Sequence, residues 1–212
     1  MGYAERTKRP PKTLTEREVK QLLKVTGESL RGFRDHVIYS VAIGCGLRES
    51  EIVGLNLGDV ASVDGKTLRV KRIVQLRVFK RAAADDDPSS QRVHLPDGTY
   101  YKLAKYVKAE KRFRQLTLKG FGSLPLFISQ RGTRLSTRQV RTAFARWQLR
   151  AGFDQRYAFH HLRHTAITAV RRETGDIRIA QRFARHADIS TTVRYEHASD
   201  EELAAATKNL TS

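Results

Sequence analysis

Apolar residues along this chain recur mostly at intervals of three and four, and one stretch alternates with the two-residue period of a strand. Val19, Leu22 and Leu23 lie on one helical face. The segment Thr15-Glu16-Arg17-Glu18 supplies the start, a Thr N-cap answered by Glu three residues later. Residues 32–45 predict a second, more apolar helix at the centre of the core, broken by Gly44 and Gly46. A short helix carrying Glu51, Ile52 and Leu55 follows Arg48. Thr67 to Val74 alternates apolar and basic positions, which predicts a half-buried strand. Val78-Phe79 and Gln91 to Pro96 are candidates for two more strands. Between them RAAADDDPSS, residues 81–90, reads as an exposed loop. The economical arrangement is a small three-stranded antiparallel sheet with a basic outer face.

After Pro96 the helical period returns. Residues 99–116 predict a strongly basic helix, 117–125 a glycine-containing connection, and Leu126-Phe127-Ile128 a short apolar segment. Ser136 and Gln139 repeat the capping pattern ahead of a helix with Val140, Phe144, Trp147 and Leu149 on or near one face, closed by Gly152. That face reads as core. Further helices are expected over His160–Arg172, near 177–185 and around 189–196. A last helix is capped by Ser199 with Glu202 and carries Leu203 to Leu210. The expected fold is mainly α (α+β), one domain over residues 13–212. Residues 1–12, polar and basic with Pro10-Pro11, form an arm or linker. No internal repeat is visible.

Composition changes this picture in one respect. A chain of 212 residues with 40% hydrophobic and 29% charged residues suits one domain with a real core. Its 40 Lys and Arg against 22 Asp and Glu leave a net charge of +18. Self-repulsion on that scale points to a polyanionic partner. An anionic membrane fits less well, because the basic residues are spread over many segments instead of forming one amphipathic face. Cys45 stands alone, cannot form an internal disulfide, and reads as a buried small hydrophobe, which fits an intracellular setting. The longest apolar run, around Cys45, is too short to span a bilayer, and the start MGYAERTKRPPK carries no secretory signal. Arg6 occupies the Ser/Thr position of a myristoylation signal.

The candidate chemistry gathers between Phe159 and Tyr195. His160, Arg163, His164 and His186 are suited to gripping a phosphate, Tyr195 can act as a nucleophile, and Arg48 lies far upstream in GLRESE. Phosphodiester transfer needs a nucleophile, neutralisation of the phosphorane charge and protonation of the leaving oxygen. Arginine grips two phosphate oxygens with a permanent charge, histidine moves protons, and tyrosine can hold the product as an ester. His160 and Arg163, three apart, share a helix face. His160 and His164 have the spacing of metal ligands, but no HExxH glutamate accompanies them and Arg163 places a cation beside the site. Tyr39, Tyr100, Tyr101 and Tyr106 read as packing residues, and His161 and His164 as structural, His164 hydrogen-bonding within the site.

Three boxes in order, GLRESEI, HHLRHT and ARHADISTTVRY, together resemble the tyrosine recombinase (phage integrase) family over about residues 13–212. The nine-residue step from His186 to Tyr195 is the family spacing. The resemblance implies a DNA breaking-rejoining catalytic domain. Arg48 and Arg163 would clamp the phosphate, His160 would be the acid/base partner of the tyrosine, and His186 would contact the phosphate. Tyr195 would form a 3′-phosphotyrosine with a free 5′-hydroxyl, with Glu51 bracing the site. A lysine on the β-hairpin would protonate the leaving oxygen; Lys80 is the first choice and Lys71 the second. Position 185 departs from the family pattern, carrying Arg where Gly is usual, and position 161 carries His where an acidic residue is frequent.

The resemblance further implies double-stranded DNA as partner, no cofactor, no metal and no membrane. It implies a homotetramer on paired DNA sites and a monomer in isolation, accessory DNA-bending or directionality factors, and a cytoplasmic setting in a bacterial cell or phage-infected host. Leu203 to Leu210 would dock on a neighbour. A core-binding domain usually precedes this one. Residues 1–12 would then be its linker in an excised catalytic domain, or the start of a minimal natural recombinase. The rival readings are a type IB topoisomerase, a non-catalytic DNA-binding protein of the same fold, and a metal-dependent hydrolase.

Overall fold

The computed structural model describes residues 11–28, 32–64, 67–76, 92–110 and 120–195. Helix α1 (Glu16–Gly27) starts at the expected reciprocal cap. The Glu18 N–H donates to Thr15 Oγ1 at 3.2 Å, and the Thr15 N–H donates to Glu18 Oε2 at 2.8 Å. Helix α2 (Phe33–Cys45) buries Val37, Ile38, Tyr39, Val41, Ala42 and Cys45, so it is apolar on almost every side. It is packed by α1, by α5 (Asp97–Ala109), by α6 (Thr137–Arg150) and by α7 (His160–Thr174). Gly44 lies inside α2 and does not break it. The helix ends at Gly46, whose φ of 59° is left-handed. A Cβ there would also stand 2.7 Å from the Phe183 ring, so backbone and space both require glycine.

Two short helices follow, α3 (Glu49–Gly54) and α4 (Leu57–Val60). The β region is antiparallel, but its described part is two two-stranded ribbons, not one three-stranded sheet. Strand β1 (Ala61–Asp64) pairs with β2 (Thr67–Val70), and β3 (Ile73–Gln75) pairs with β4 (Arg92–His94). The alternating run from Thr67 to Val74 is therefore divided. The Lys71 N–H donates back to Val60 O at 2.8 Å, while the Arg72 carbonyl already accepts from the Leu95 N–H at 2.9 Å. The hand-over from one ribbon to the other falls at Lys71-Arg72, two basic residues in a row, where the alternation of Leu68, Arg69 and Val70 lapses before Ile73-Val74. Strand β1, sequence ASVD, also alternates apolar and polar residues, a short strand signal absent from the expectation. The expected Val78-Phe79 strand and the loop at 81–90 lie outside the described residues, as do residues 111–116 of the helix expected over 99–116 and the first residues, 117–119, of the connection after it.

The carboxy-terminal part comprises α6, α7, α8 (Ile177–Ala184) and α9 (Ser190–Val193). Ser136 and Gln139 cap α6 as expected. Val140, Phe144 and Trp147 are buried, but Leu149 is 67% exposed because it falls past the edge of the buried stripe. Tyr101 is likewise 63% exposed, lying on the outside of α5 within 5.8 Å of the Arg72 guanidinium. The helix expected at 199–210 lies outside the described residues. Tyr39, Phe144 and Phe159 pack with ring centroids 5.4–6.1 Å apart and join α2, α6 and the start of α7. No helix among the described residues is long and apolar enough to cross a membrane.

Beside this aromatic group the buried Asp35 carboxylate accepts from Trp147 Nε1 at 2.9 Å and from Arg34 Nη2 at 2.7 Å. Trp147→Phe keeps most of the ring area and leaves one buried carboxylate oxygen without its donor. We expect a loss of about 1–3 kcal/mol in unfolding free energy, read from urea denaturation. A midpoint equal to that of the wild type would show that water replaces the indole.

Ile167, Ala180, Ala184 and Tyr195, with Phe183 against them, form a smaller apolar cluster apart from the main core. It joins α7, α8 and the turn after α9, and it holds the tyrosine.

Candidate active site

The left-handed Gly46 turns the chain out of α2 and delivers Arg48 to the start of α3. The Glu51 carboxylate fixes Arg48 twice. The backbone N–H of Arg48 donates to Oε2 at 2.6 Å, and Nη1 donates to Oε1 at 2.7 Å. The Arg48 side chain remains 46% exposed and Glu51 only 11%, so the pair has a buried anchor and an accessible cation. Burial alone would raise the Glu51 carboxyl. Arg185, the Arg48 N–H and the charges of Arg48 and Arg163 hold it below its ordinary value instead.

Arg163 lies on the buried side of α7. Its Nη1 donates to the Gly46 carbonyl and its Nη2 to the Ala184 carbonyl. Both acceptors sit at helix C-terminal ends, where carbonyls lack intrahelical partners and the dipole favours a cation. One side chain thus ties the ends of α2 and α8 together. Burial first, and then Arg48 and Arg185, push its pKa down to about 9, against the pull of Glu51 and Tyr195. It stays charged at neutral pH.

Tyr195 is 8% exposed, and its hydroxyl meets Nδ1 of His164 in a short hydrogen bond. The family resemblance implies His160 as the acid/base partner of the tyrosine, with His164 hydrogen-bonding within the site. Here His160 is exposed, its ring edge-on to His164 at 5.3 Å, and His164 touches the phenol. The two differ by one helical turn, so spacing could not choose between them. His186 stacks near Tyr195 with centroids 6.3 Å apart and pairs through Nδ1 with the buried Thr192 Oγ1 at 2.9 Å. Burial holds the His164 pKa at about 4, aided by His160, His161 and Arg163. Burial likewise holds His186 at about 4, aided by Arg163, Arg48 and Arg185. Both rings are neutral at pH 7, so His164 can accept a proton. Burial also raises the Tyr195 phenol, which Arg163 and Arg194 only partly offset, so the phenol carries its proton at rest.

Arg185 gives the sequence departure a structural meaning. It ends α8 with φ 54° and ψ 48°, the one left-handed non-glycine among the described residues. Its N–H bonds the Arg182 carbonyl and the next N–H, that of His186, bonds Gln181, which is the turn glycine usually makes. A side chain in this conformation costs on the order of 1–2 kcal/mol. The guanidinium is buried and its Nη2 donates to Glu51 Oε2 at 2.9 Å. No sequence signal predicted this contact across 134 residues.

The remaining candidates separate cleanly. Lys80, the first choice for the hairpin lysine, lies outside the described residues. Lys71, the second, donates through Nζ to the Gly58 carbonyl at 2.6 Å and ties β2 to α4. His161 accepts from the Ala158 N–H at 2.8 Å through Nδ1, helping to start α7. Burial pushes the Cys45 thiol up to about 12, so it is inert as a nucleophile. Among the described residues no group of three His, Cys, Asp or Glu side chains is placed to hold a metal ion. The site is a cationic centre built on one carboxylate, with a protonated phenol against a neutral imidazole. Such an arrangement can bind an oxyanion and release a nucleophilic phenolate beside it.

The chain is similar to known proteins in sequence and in fold. Residues 12–202 match the phage integrase family model. The tyrosine recombinase XerC of Vibrio atlanticus is 31% identical over 204 residues, covering 96% of this chain and 60% of that protein. XerC 1 of Ralstonia nicotianae is 30% identical over 205 residues, covering 93% and 59%. The chain therefore spans about three fifths of the length of these relatives. The crystal structure of XerA recombinase superposes with a TM-score of 0.71 at 27% identity, over 96% of this chain and 66% of that one. The Tn1549 transposon integrase in complex with transposon right-end DNA shares the fold, with a TM-score of 0.72 at 18% identity over 97% of this chain and 68% of that one. With residues 12–202 of its 212 matched by the family model, and a mainly helical fold bearing small antiparallel ribbons, this chain belongs to the phage integrase family of tyrosine recombinases.

Proposed function

We propose that this chain is the catalytic domain, over residues 13–212, of a site-specific DNA recombinase. It cleaves and rejoins double-stranded DNA through a covalent 3′-phosphotyrosine. The observation that carries this reading is the contact of the Tyr195 hydroxyl with His164 Nδ1 beside a cationic centre containing Arg48 and Arg163. Tyr195 Oη attacks the phosphorus, its proton passes to His164, and the bond to the 5′-oxygen breaks. That oxygen takes a proton and leaves as a hydroxyl. Arg48 and Arg163 neutralise the phosphorane charge, His186 donates to a non-bridging oxygen, and Glu51 holds Arg48 in place. His160, exposed at the same helix end, is assigned to the approach of the DNA. Lys80 remains the proposed donor to the leaving oxygen, since Lys71 is engaged with Gly58.

The net charge of +18 supports a polyanionic substrate, held chiefly through its phosphates. Relatives of the same fold have been seen on DNA, among them XerH recombinase bound to its difH substrate before cleavage. Four protomers on two sites, with a docking C-terminal segment and accessory factors, would complete the reaction in a bacterial or phage-infected cytoplasm.

The test uses a nicked duplex carrying the cognate site, in chelator, read on a denaturing gel. Wild type is expected to give a covalent protein–DNA band and Tyr195→Phe none. Bands of equal strength from both would remove Tyr195 as nucleophile. If DNA is bound and neither protein gives a band even with a core-binding domain supplied, the fold serves binding alone.

A further inference from the structure

Arg185 occupies a backbone conformation that disfavours it, has its Nε buried without a hydrogen-bond partner, and replaces the glycine that the turn would accept without strain. A costly residue in such a place needs compensating contacts, and its guanidinium makes them. Nη1 donates to the Phe183 carbonyl at 3.2 Å, and Nη2 reaches Glu51 Oε2 at 2.9 Å. The partition of the carboxylate is the informative part. Arg48 Nη1 takes Oε1 and Arg185 Nη2 takes Oε2, while Arg163 shares the Gly46 carbonyl with Arg185. Three guanidinium groups face one carboxylate, so the cluster keeps two net positive charges; with glycine at 185 it would keep one.

We propose that Arg185 is a positioning residue of the anion site: by neutralising Glu51 from the buried side, it leaves the charge of the accessible Arg48 to act on a phosphate. This rests on the reading that Arg48 and Arg163 hold phosphate. Arg185 is itself buried, with 7% of its side chain exposed, so it acts through Glu51 and not on the substrate. The same charge helps keep His186 neutral, in line with the depressed pKa of that ring. A purely structural role, holding α8 against α3, would require the contact but not its charge.

The experiment is a titration of inorganic phosphate onto the whole chain, followed by the NMR resonances of His186 and the Arg48 side chain. Wild type, Arg185→Gly, Arg185→Lys and Arg185→Gln are compared, with melting temperatures measured alongside. Arg185→Gly is expected to weaken phosphate binding roughly fivefold or more, the size of one partly screened charge. Arg185→Gln, which keeps the strained backbone and much of the side chain, should match that loss and stands in if the glycine variant does not fold. Arg185→Lys should recover most of the affinity. Unchanged affinity in the neutral variants, equal loss in lysine and glutamine, or no phosphate binding by wild type would each overturn the proposal. Strand cleavage is scored separately on the nicked duplex. The expected phosphate series with no covalent band from wild type, even with a core-binding domain supplied, would sink the recombinase reading and leave the role of Arg185 standing.

Discussion

Arg163→Lys will lower the single-turnover rate of covalent complex formation by about 10²–10³-fold, the usual cost of removing one oxyanion-stabilising donor group. The size follows from geometry more than from charge, which lysine retains. Arg163 spreads a planar fork over two carbonyls, Gly46 at the end of α2 and Ala184 at the end of α8. An ammonium cannot meet both while presenting an edge to a phosphate. The carbonyl left without its donor is buried, so unfolding free energy should also drop by about 1–3 kcal/mol, and denaturation curves taken alongside separate the two losses. A rate within about threefold of wild type would mean that Arg163 ties two helices together and does nothing to the transition state.

The second large effect is acid destabilisation centred on two neutral imidazoles. His164 and His186 both titrate near 4 in the folded chain against an ordinary value of 6.5. The unfolded chain therefore binds protons that the folded chain refuses. Stability is fully present above pH 6.5, is lost as pH falls toward 4, and falls no further on their account below that. Each ring would remove about 2 kcal/mol by about pH 5 and roughly 3 kcal/mol at the limit. The two losses are coupled, because both rings face the same arginines. Glu51, held below its ordinary carboxylate range, contributes only at the acid end of this window. Urea denaturation between about pH 7 and about pH 5 should show a steep decline in wild type, and His164→Asn combined with His186→Asn should flatten it. An equal slope in the double variant would place the acid sensitivity elsewhere.

What the sequence made legible was whatever is written locally. The caps at Thr15 and Ser136 are side chains bonding a backbone three residues away, so a four-residue window contains the whole cause. The Arg48–Glu51 pair has the same short reach. In the β region the strands within Thr67–Val74 and 91–96 were legible, but the division into two ribbons was not: Lys71-Arg72 interrupts the alternation, and only the pairing shows that the partner changes there. Strand β1 is a four-residue alternation whose partner, with Val63 opposite Leu68, only the fold supplies. In the site, residue types and order were legible and distances were not. That the Tyr195 hydroxyl meets His164 is visible only with the tyrosine in place, and pairing Arg185 with Glu51 needs two turns brought together from 134 residues apart. The unusual Arg at 185 was visible as a departure, and only the fold supplies its partner.

The tyrosine belongs to the small apolar cluster of Ile167, Ala180 and Ala184, not to the large core around α2. Its resting environment is therefore a satellite, and leaving it does not require the molecule to unfold. Withdrawing one phenol ring from such a cluster costs on the order of 2–3 kcal/mol, which corresponds to an outward population of about one molecule in a hundred. In the resting state the neutral His164 meets the hydroxyl, and both the ring's shelter and its proton keep it from reacting with whatever passes by. Reactivity would then be gated by a minor conformer, and a correctly placed DNA strand could stabilise that conformer where bulk solvent does not.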